Sequence, residues 1–412
     1  MRYPSYRAPF IVFLAGTGIS WFGNTLASIA IPWYVLTTTG SAAQTGVAAS
    51  VTGLAVVIAA LFGGVLIDRL GARRTVVLAD LLSGLTLAAI PILEHFGRLS
   101  FPALLLLVFG GALLDPPGNA GRQACLPRLA GSAGLTPERA NAHYTSVLQG
   151  TNLVGAAVAG LLIARFGVAA VLWLDAGTFV VAIGLTLISG PGTAPPVVAR
   201  DVVDGAGGRG VLARFVADVS AGVRFLWRTP VLRTFVLVGA LQSVLTPVLL
   251  VVILPVYIRE HYGGAARLGL LLAAYTTGTL AGATLYGLVG HRLPPRGLVL
   301  ILSMLAALAL GALILPVPLG LTALALLLLG LEQGPIGAIA NAQVQRRTPP
   351  ALLGRVITAT FAFALLGGPL GTLLGGIAVE RAGLPIVLLL VLTGTLARWL
   401  ILRRAHALHM LR

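Results

Sequence analysis

Gly64-Val65-Leu66-Ile67-Asp68-Arg69-Leu70-Gly71-Ala72-Arg73-Arg74 stands between two apolar stretches. A degraded copy, Gly287-Leu288-Val289-Gly290-His291-Arg292-Leu293-Pro294-Pro295-Arg296, returns about 220 residues later. Asn119-Ala120 with Pro127 returns as Asn341-Ala342 with Pro349 at nearly the same spacing. Gly155, Gly160, Arg165 and Gly167 return likewise as Gly371, Gly376, Arg381 and Gly383. Three independent matches at one spacing mean two related halves in parallel orientation, an architecture that places a binding site between the halves near the membrane midplane.

The surroundings of these repeats are apolar. Of 412 residues, 57% are hydrophobic and 10% charged, whereas a soluble chain carries about 25% charged residues. Twelve spans of about 20 residues would absorb the excess. Apolar stretches fall at 10–37, 44–67, 75–93, 101–121, 142–164 and 168–189, then at 233–257, 268–290, 297–315, 319–343, 355–379 and 384–402. The expected fold is an all-α polytopic membrane protein of twelve transmembrane helices in two pseudo-symmetric six-helix bundles, 1–190 and 233–412. The connection 191–232 begins as a polar linker with Asp201, Asp204 and Gly205 and ends, over Val211–Trp227, at the spacing of an interfacial amphipathic helix. The N-terminus runs into its first apolar stretch without a small-residue cleavage site, so that stretch is expected to be a retained span.

The net charge of +16 rests on 28 basic residues, all of them arginine. If both termini are cytoplasmic, 23 of the 28 fall on the cytoplasmic side, including Arg122 and the four arginines from Arg398 onward. That bias sets the orientation, and it leaves no basic face for nucleic acid. The single Cys125 excludes a disulfide framework. No P-loop occurs, and the histidines lack metal-ligand spacing along any one helix. Neither a cofactor, a metal nor an enzymatic constellation is expected.

The segment Gly64 to Arg74, placed after a second span, resembles the signature loop of the major facilitator superfamily, and the resemblance covers essentially the whole chain. A finer resemblance is to the twelve-helix drug:proton antiporter branch that includes macrolide-efflux and siderophore-exporter types. It is carried by Trp21-Phe22-Gly23-Asn24 through Ile31-Pro32-Trp33-Tyr34 to Thr39-Gly40-Ser41, by Asn141-Ala142, and by Gln345 to Pro349 leading to Gly354-Arg355-Val356. The resemblance implies a secondary transporter of small organic molecules, working as a monomer by alternating access in a bacterial inner membrane. Two departures stand out. Helix four, read as Leu104 to Asn119, lacks the arginine many drug:proton antiporters carry there. The helix-five antiporter motif is degraded to Gly155-Ala156-Ala157-Val158-Ala159-Gly160.

An anionic side chain is stabilised at a helix N-terminus. Asp68, with Arg69, Gly71 and Arg73 around it, is implied to meet helix eleven near Gly354 and Arg355 as a cytoplasmic latch. The repeat maps Asp68 onto His291 and Arg355 onto Arg139, next to Glu138, so a second latch of His291 or Arg292 with Glu138 is expected. Acidic residues within hydrocarbon face a cavity or a partner. Glu332 lies about 20 Å into its span, near the midplane, before Gln333-Gly334-Pro335; Asp115 precedes Pro116-Pro117-Gly118-Asn119. Both motifs suggest helix breaks that free backbone groups for a ligand, and Glu332 and Asp115 are the expected proton-coupling acids. Asp80 and Asp175, nearer the ends of their spans, are read as local caps or partners of nearby loops. Glycines at 150, 155 and 160 and at 367, 371, 375 and 376 read as packing seams.

If the superfamily arrangement holds, Trp21, Asn24, Ser28 and Asn119 line a cavity with Gln242, Ser243, Thr246 and Gln333. Such a cavity suits an amphipathic or cationic organic compound; Trp33 belongs to an interfacial belt. The expected function is proton-driven efflux by alternating access, with membrane lipid around the protein. The alternatives are a lipid or lysolipid flippase, an uptake symporter, or a non-transporting scaffold or sensor. Asp68→Asn is expected to raise the inward-open population, read as distances between spin labels on the two halves; an unchanged distribution contradicts the latch.

Overall fold

The computed structural model describes residues 7–190 and 219–404, without the side chains at positions 61–65, 291, 350 and 351. The polar first part of the linker, the start of its helix and the His291 side chain therefore lie outside the described residues. Every element among those described is helical. The first half contains α1 (Arg7–Thr39), α2 (Ala42–Leu70), α3 (Ala72–His95) and α4 (Phe101–Ser132). A 52-residue run, Pro137–Ile188, then breaks at Gly167 into α5 (137–166) and α6 (168–188). The second half contains α7 (Pro230–His261), α8 (Ala265–Val289), α9 (Pro295–Ala312), α10 (Leu319–Arg347), α11 (Pro350–Ala382) and α12 (Leu384–Arg404). Twelve apolar helices thus form where twelve spans are expected.

The internal repeat reaches the backbone. Gly167 has φ 82° and ψ 169°, and its counterpart Gly383 has φ 84° and ψ 159°. Both turn the chain between the last two spans of a half through a conformation that excludes a β-carbon. At the signature loop the halves diverge: Gly71 caps α3 with φ 81°, while Pro294 at the matching position is extended.

Two expected helix breaks do not form. α4 runs through Pro116 and Pro117, and α10 runs through Pro335. Packing holds α10 straight: a β-carbon at Gly282 of α8 would stand 3.1 Å from the Pro335 ring, and one at Gly334 would overlap the α8 backbone at Ala283. Gly278, Gly282, Gly330 and Gly334 form a small-residue seam in which the two helices touch backbone to backbone. α7 is the helix that does deform, widening to a π turn at Val248–Ile253 directly after Pro247, as an i→i−4 ladder interrupted by proline allows.

The chain separates into two compact units, one of residues 1–39 and 51–198, the other of 40–50 and 199–412. The boundary differs from the expected 1–190 in one respect: the start of α2 belongs to the second unit. There Gly46 lies so close to Thr372 and Gly376 of α11 that neither glycine has room for a β-carbon. The Glu380 carboxylate accepts from Ser41 Oγ at 2.6 Å and from the Ala43 N–H at 2.9 Å, capping the α2 N-terminus. The glycines at 367, 371 and 375 pack on α7, and Gly155 packs on Thr25 of α1, whereas Gly150 touches nothing. The end of the linker is helical over 219–228, and Leu226 is fully buried with Leu232, Val344 and Val356. One face of this part packs on the bundle, where Gly222 lets it approach the Arg355 backbone, while Arg224, Trp227 and Arg228 are exposed.

Outward side chains are apolar in both units, as Leu106, Val180, Leu308 and Leu374 illustrate. Gly330→Ala should overlap the Tyr275 carbonyl of α8 and destabilise the second unit by about 1–3 kcal/mol, the usual overpacking penalty. A melting temperature in detergent that falls for Gly330→Ala but not for Gly150→Ala is the expected outcome.

Candidate functional site

In the first unit, one stretch of α1 touches four other helices. Ser20 donates to Asp80 of α3 at 3.2 Å and accepts from Arg122 of α4 at 2.8 Å. Trp21 donates its indole N–H to Asn152 of α5 at 3.1 Å, and Thr25 reaches the same oxygen. Asn24 donates to Asp115 of α4 at 3.5 Å. Gly23 lies against Asp175 and Thr178 of α6, with no space for a side chain.

The centre of this cluster is an ion pair that sequence reasoning missed. Arg122, expected in a cytoplasmic loop, lies inside α4 and is buried. It binds Asp80 at 2.6 Å and also donates to Asn119 at 3.4 Å. Two readings are corrected. Helix four does carry an arginine, because the helix continues past Asn119 to Ser132, and Asp80 is a buried ion-pair partner rather than a local cap. The available signal was the apolar run from Ala124 to Ala130 on the far side of Arg122, broken only by Pro127 and Arg128.

The second unit contains a matching arrangement built from other positions. Glu332 of α10 is 1% exposed and Arg398 of α12 is 2% exposed. One guanidinium nitrogen binds both carboxylate oxygens, at 2.5 and 2.6 Å, and Ser303 of α9 donates to the first of them at 2.6 Å. Arg398 is thus not one of the cytoplasmic tail arginines. It is flanked on both sides by apolar residues, Leu396-Ala397 and Trp399-Leu400, which is the signal that marked it. Trp399 donates to the Leu300 carbonyl and ties α12 to α9. Around the pair a small enclosed cavity is lined by Gln242, Thr246, Tyr275, Gln333 and Thr395.

The remaining expected residues are distributed more widely. Gln242 donates to Thr246 one turn on, and Ser243 bonds the Ala240 carbonyl while its side chain faces Gly367. Ser28 is exposed and bonds the Thr25 carbonyl. Trp33 is buried. Asp68 and Arg69 are exposed at the end of α2. Arg73 donates to the Leu187 carbonyl at the end of α6, inside the first unit. Glu138 is exposed in the first turn of α5, and Arg292 and Arg355 are exposed in the second unit. An apolar groove of about 730 Å³ runs between α1 and α5, lined by Ile11, Leu14, Phe22, Val147 and Val154 with Ser146 and Thr151.

Two six-helix halves related by an internal repeat, each with a charge pair held in apolar surroundings, define a polytopic membrane transporter. The family model of the Major Facilitator Superfamily matches residues 13–372 and 246–409, and the chain belongs to that family. It is 33% identical over 386 residues to the multidrug efflux pump Tap of Mycolicibacterium fortuitum, covering 92% of this chain and 91% of that protein. It is 29% identical over 415 residues to the enterobactin exporter EntS of Citrobacter koseri, covering 96% and 94%. Its fold is similar to the crystal structure of the nucleoside transporter NupG, with a TM-score of 0.74 at 14% identity over 98% of this chain and 100% of that one.

Removing one partner of a buried pair leaves a charge without compensation, at a cost of about 3–5 kcal/mol. Arg122→Gln alone should therefore lower the melting temperature sharply, and the double variant Asp80→Asn/Arg122→Gln should recover most of the loss. Additive losses in that double-mutant cycle would show that the two side chains do not act as a pair.

Proposed function

We propose that this chain is a proton-driven exporter of amphipathic organic compounds in a bacterial inner membrane, working as a monomer by alternating access with both termini cytoplasmic. The observation that carries the reading is the Glu332–Arg398 pair, buried beside a small cavity lined by polar and apolar side chains together. A carboxylate held by a guanidinium binds a proton only when the guanidinium withdraws, so proton binding and a rearrangement of α10 against α12 are linked. Gln242, Thr246 and Gln333 line the same cavity and would register that rearrangement. In the first half, Asp115 with Asn24 occupies the equivalent task beside α1. The relatives, a multidrug efflux pump and an enterobactin exporter, support export of organic compounds.

In the same reading Asp68, Arg69, Gly71 and Arg73 close the cytoplasmic side against Gly354 and Arg355, with His291 or Arg292 against Glu138 as the second latch. An enzymatic role has no support in these residues. The flippase alternative draws on the apolar groove between α1 and α5, whose size and lining suit an acyl chain as well as the apolar part of a drug.

Everted vesicles supplied with ethidium, a lipophilic cation, and with a fluorescent lysolipid test both readings. Wild type should accumulate ethidium only under an imposed proton gradient, and Glu332→Gln and Glu332→Gln/Arg398→Gln should abolish that accumulation. Unaltered accumulation in both variants would contradict the coupling role of Glu332. Lysolipid movement without ethidium movement would favour the flippase.

A further inference from the structure

Four acids lie within the spans, and arginines account for two of them: Asp80 is held by Arg122 and Glu332 by Arg398. Asp175 is different. It is 0% exposed, and among the described residues no basic side chain is paired with it. Its Oδ1 meets the Thr178 hydroxyl at 3.3 Å, but that single hydroxyl proton already has the Asp175 carbonyl at 2.7 Å. Its Oδ2 is buried with no protein group in hydrogen-bond reach. A bare carboxylate in such a place would be an uncompensated charge in hydrocarbon.

A permanently neutral, purely structural acid would place its O–H on an acceptor, since buried hydroxyls are almost always paired. Here the nearest acceptor, Thr178 Oγ1, lies at 3.3 Å from Oδ1, and Oδ2 has no partner among the described residues. The residue facing it from α1 is Gly23, where any β-carbon would overlap both Asp175 Oδ1 and Thr178 Oγ1. Asp115 of α4 is close enough to act on it electrostatically, and Arg122 and Asp80 act in turn on Asp115. Gly23 also sits between Ser20, which binds the Asp80–Arg122 pair, and Asn24, which binds Asp115. Any displacement of this part of α1 changes the surroundings of all three acids at once.

We propose that Asp175 binds and releases one proton in each transport cycle, as a coupling carboxyl of the first half in addition to Glu332 in the second. In the present conformation it holds the proton. When α1 withdraws Gly23, the O–H gains access to the open side and the proton leaves, with the negative charge on Asp175 then opposed by Asp115, so that the two acids do not remain ionised together. The inference rests on the proton-driven reading above, and it adds a further carrier to Glu332 and Asp115.

Infrared difference spectroscopy on the purified, reconstituted protein tests this without any substrate. Wild type should show a carbonyl-stretch band of a protonated carboxyl that appears and disappears as pH is stepped, and Asp175→Asn should remove that component. Should Asp175→Asn fail to fold, Thr178→Val keeps the acid and takes away the hydroxyl at Oδ1, and should shift the frequency of the same band. A carboxyl band that Asp175→Asn removes but that does not change with pH would make Asp175 a fixed structural acid and overturn the proposal. A titrating band unaffected by either variant would overturn it too. Wild-type vesicles indifferent to a proton gradient would sink the export reading instead, and the spectroscopic result stands apart from that one.

Discussion

A carboxylate or guanidinium surrounded by hydrocarbon needs a partner, and the chain meets this requirement with very few charges. Arg122 and Arg398 are the guanidinium groups that bind buried acids within the spans, one in each unit. Each joins two helices of its own unit: the consecutive α3 and α4 in the first, α10 and α12 with α11 between them in the second. The helix packing around them is otherwise apolar and close, so these pairs supply the polar specificity that oily surfaces lack. The pairs are also points at which a proton, or a movement of a helix, changes the local energy by several kcal/mol.

The two halves repeat in fold but not in chemistry. Gly167 and Gly383 turn the chain with the same backbone angles, yet the acid at position 80 corresponds by the repeat to Ser303, which supports Glu332 instead of carrying charge itself. In the first unit Asp80 pairs with Arg122 while Asp115 meets Asn24 and Asp175 meets Thr178, and in the second Glu332 meets Arg398. This asymmetry suits a carrier whose halves perform different tasks. The first unit has spare acidic capacity beside α1; the second has a single locked pair next to its cavity.

Much of the fold was legible in the sequence, because apolar length and the repeated loop at Asp68 leave little choice of architecture. The sites were legible in part. Glu332, Asp115, Gln242, Thr246 and Gln333 could be selected as polar groups in apolar spans, and four of these five line one cavity or flank its acid. Arg122 and Arg398 were hidden by the same rule that orients the helices: an arginine near a span end looks like an anchor. Only the length of α4 and the apolar flanks of Arg398 reveal otherwise, and helix length past a double proline depends on tertiary packing. The α8–α10 glycine seam had a signal in Gly278 and Gly282 with Gly330 and Gly334, but spacing alone does not say which helix a glycine faces. Asp175 was misread because its depth in the span says nothing of the α1 glycine that accommodates it.

The proposed transport cycle moves protons through buried carboxyls in exchange for an organic compound. Proteoliposomes holding the purified protein and a pH-sensitive dye, loaded with ethidium and diluted into ethidium-free buffer at equal pH, put that exchange to the test. The expected result is a proton flux opposite in direction to the ethidium flux, absent from protein-free liposomes. Ethidium movement through the protein with no accompanying change in internal pH would contradict it.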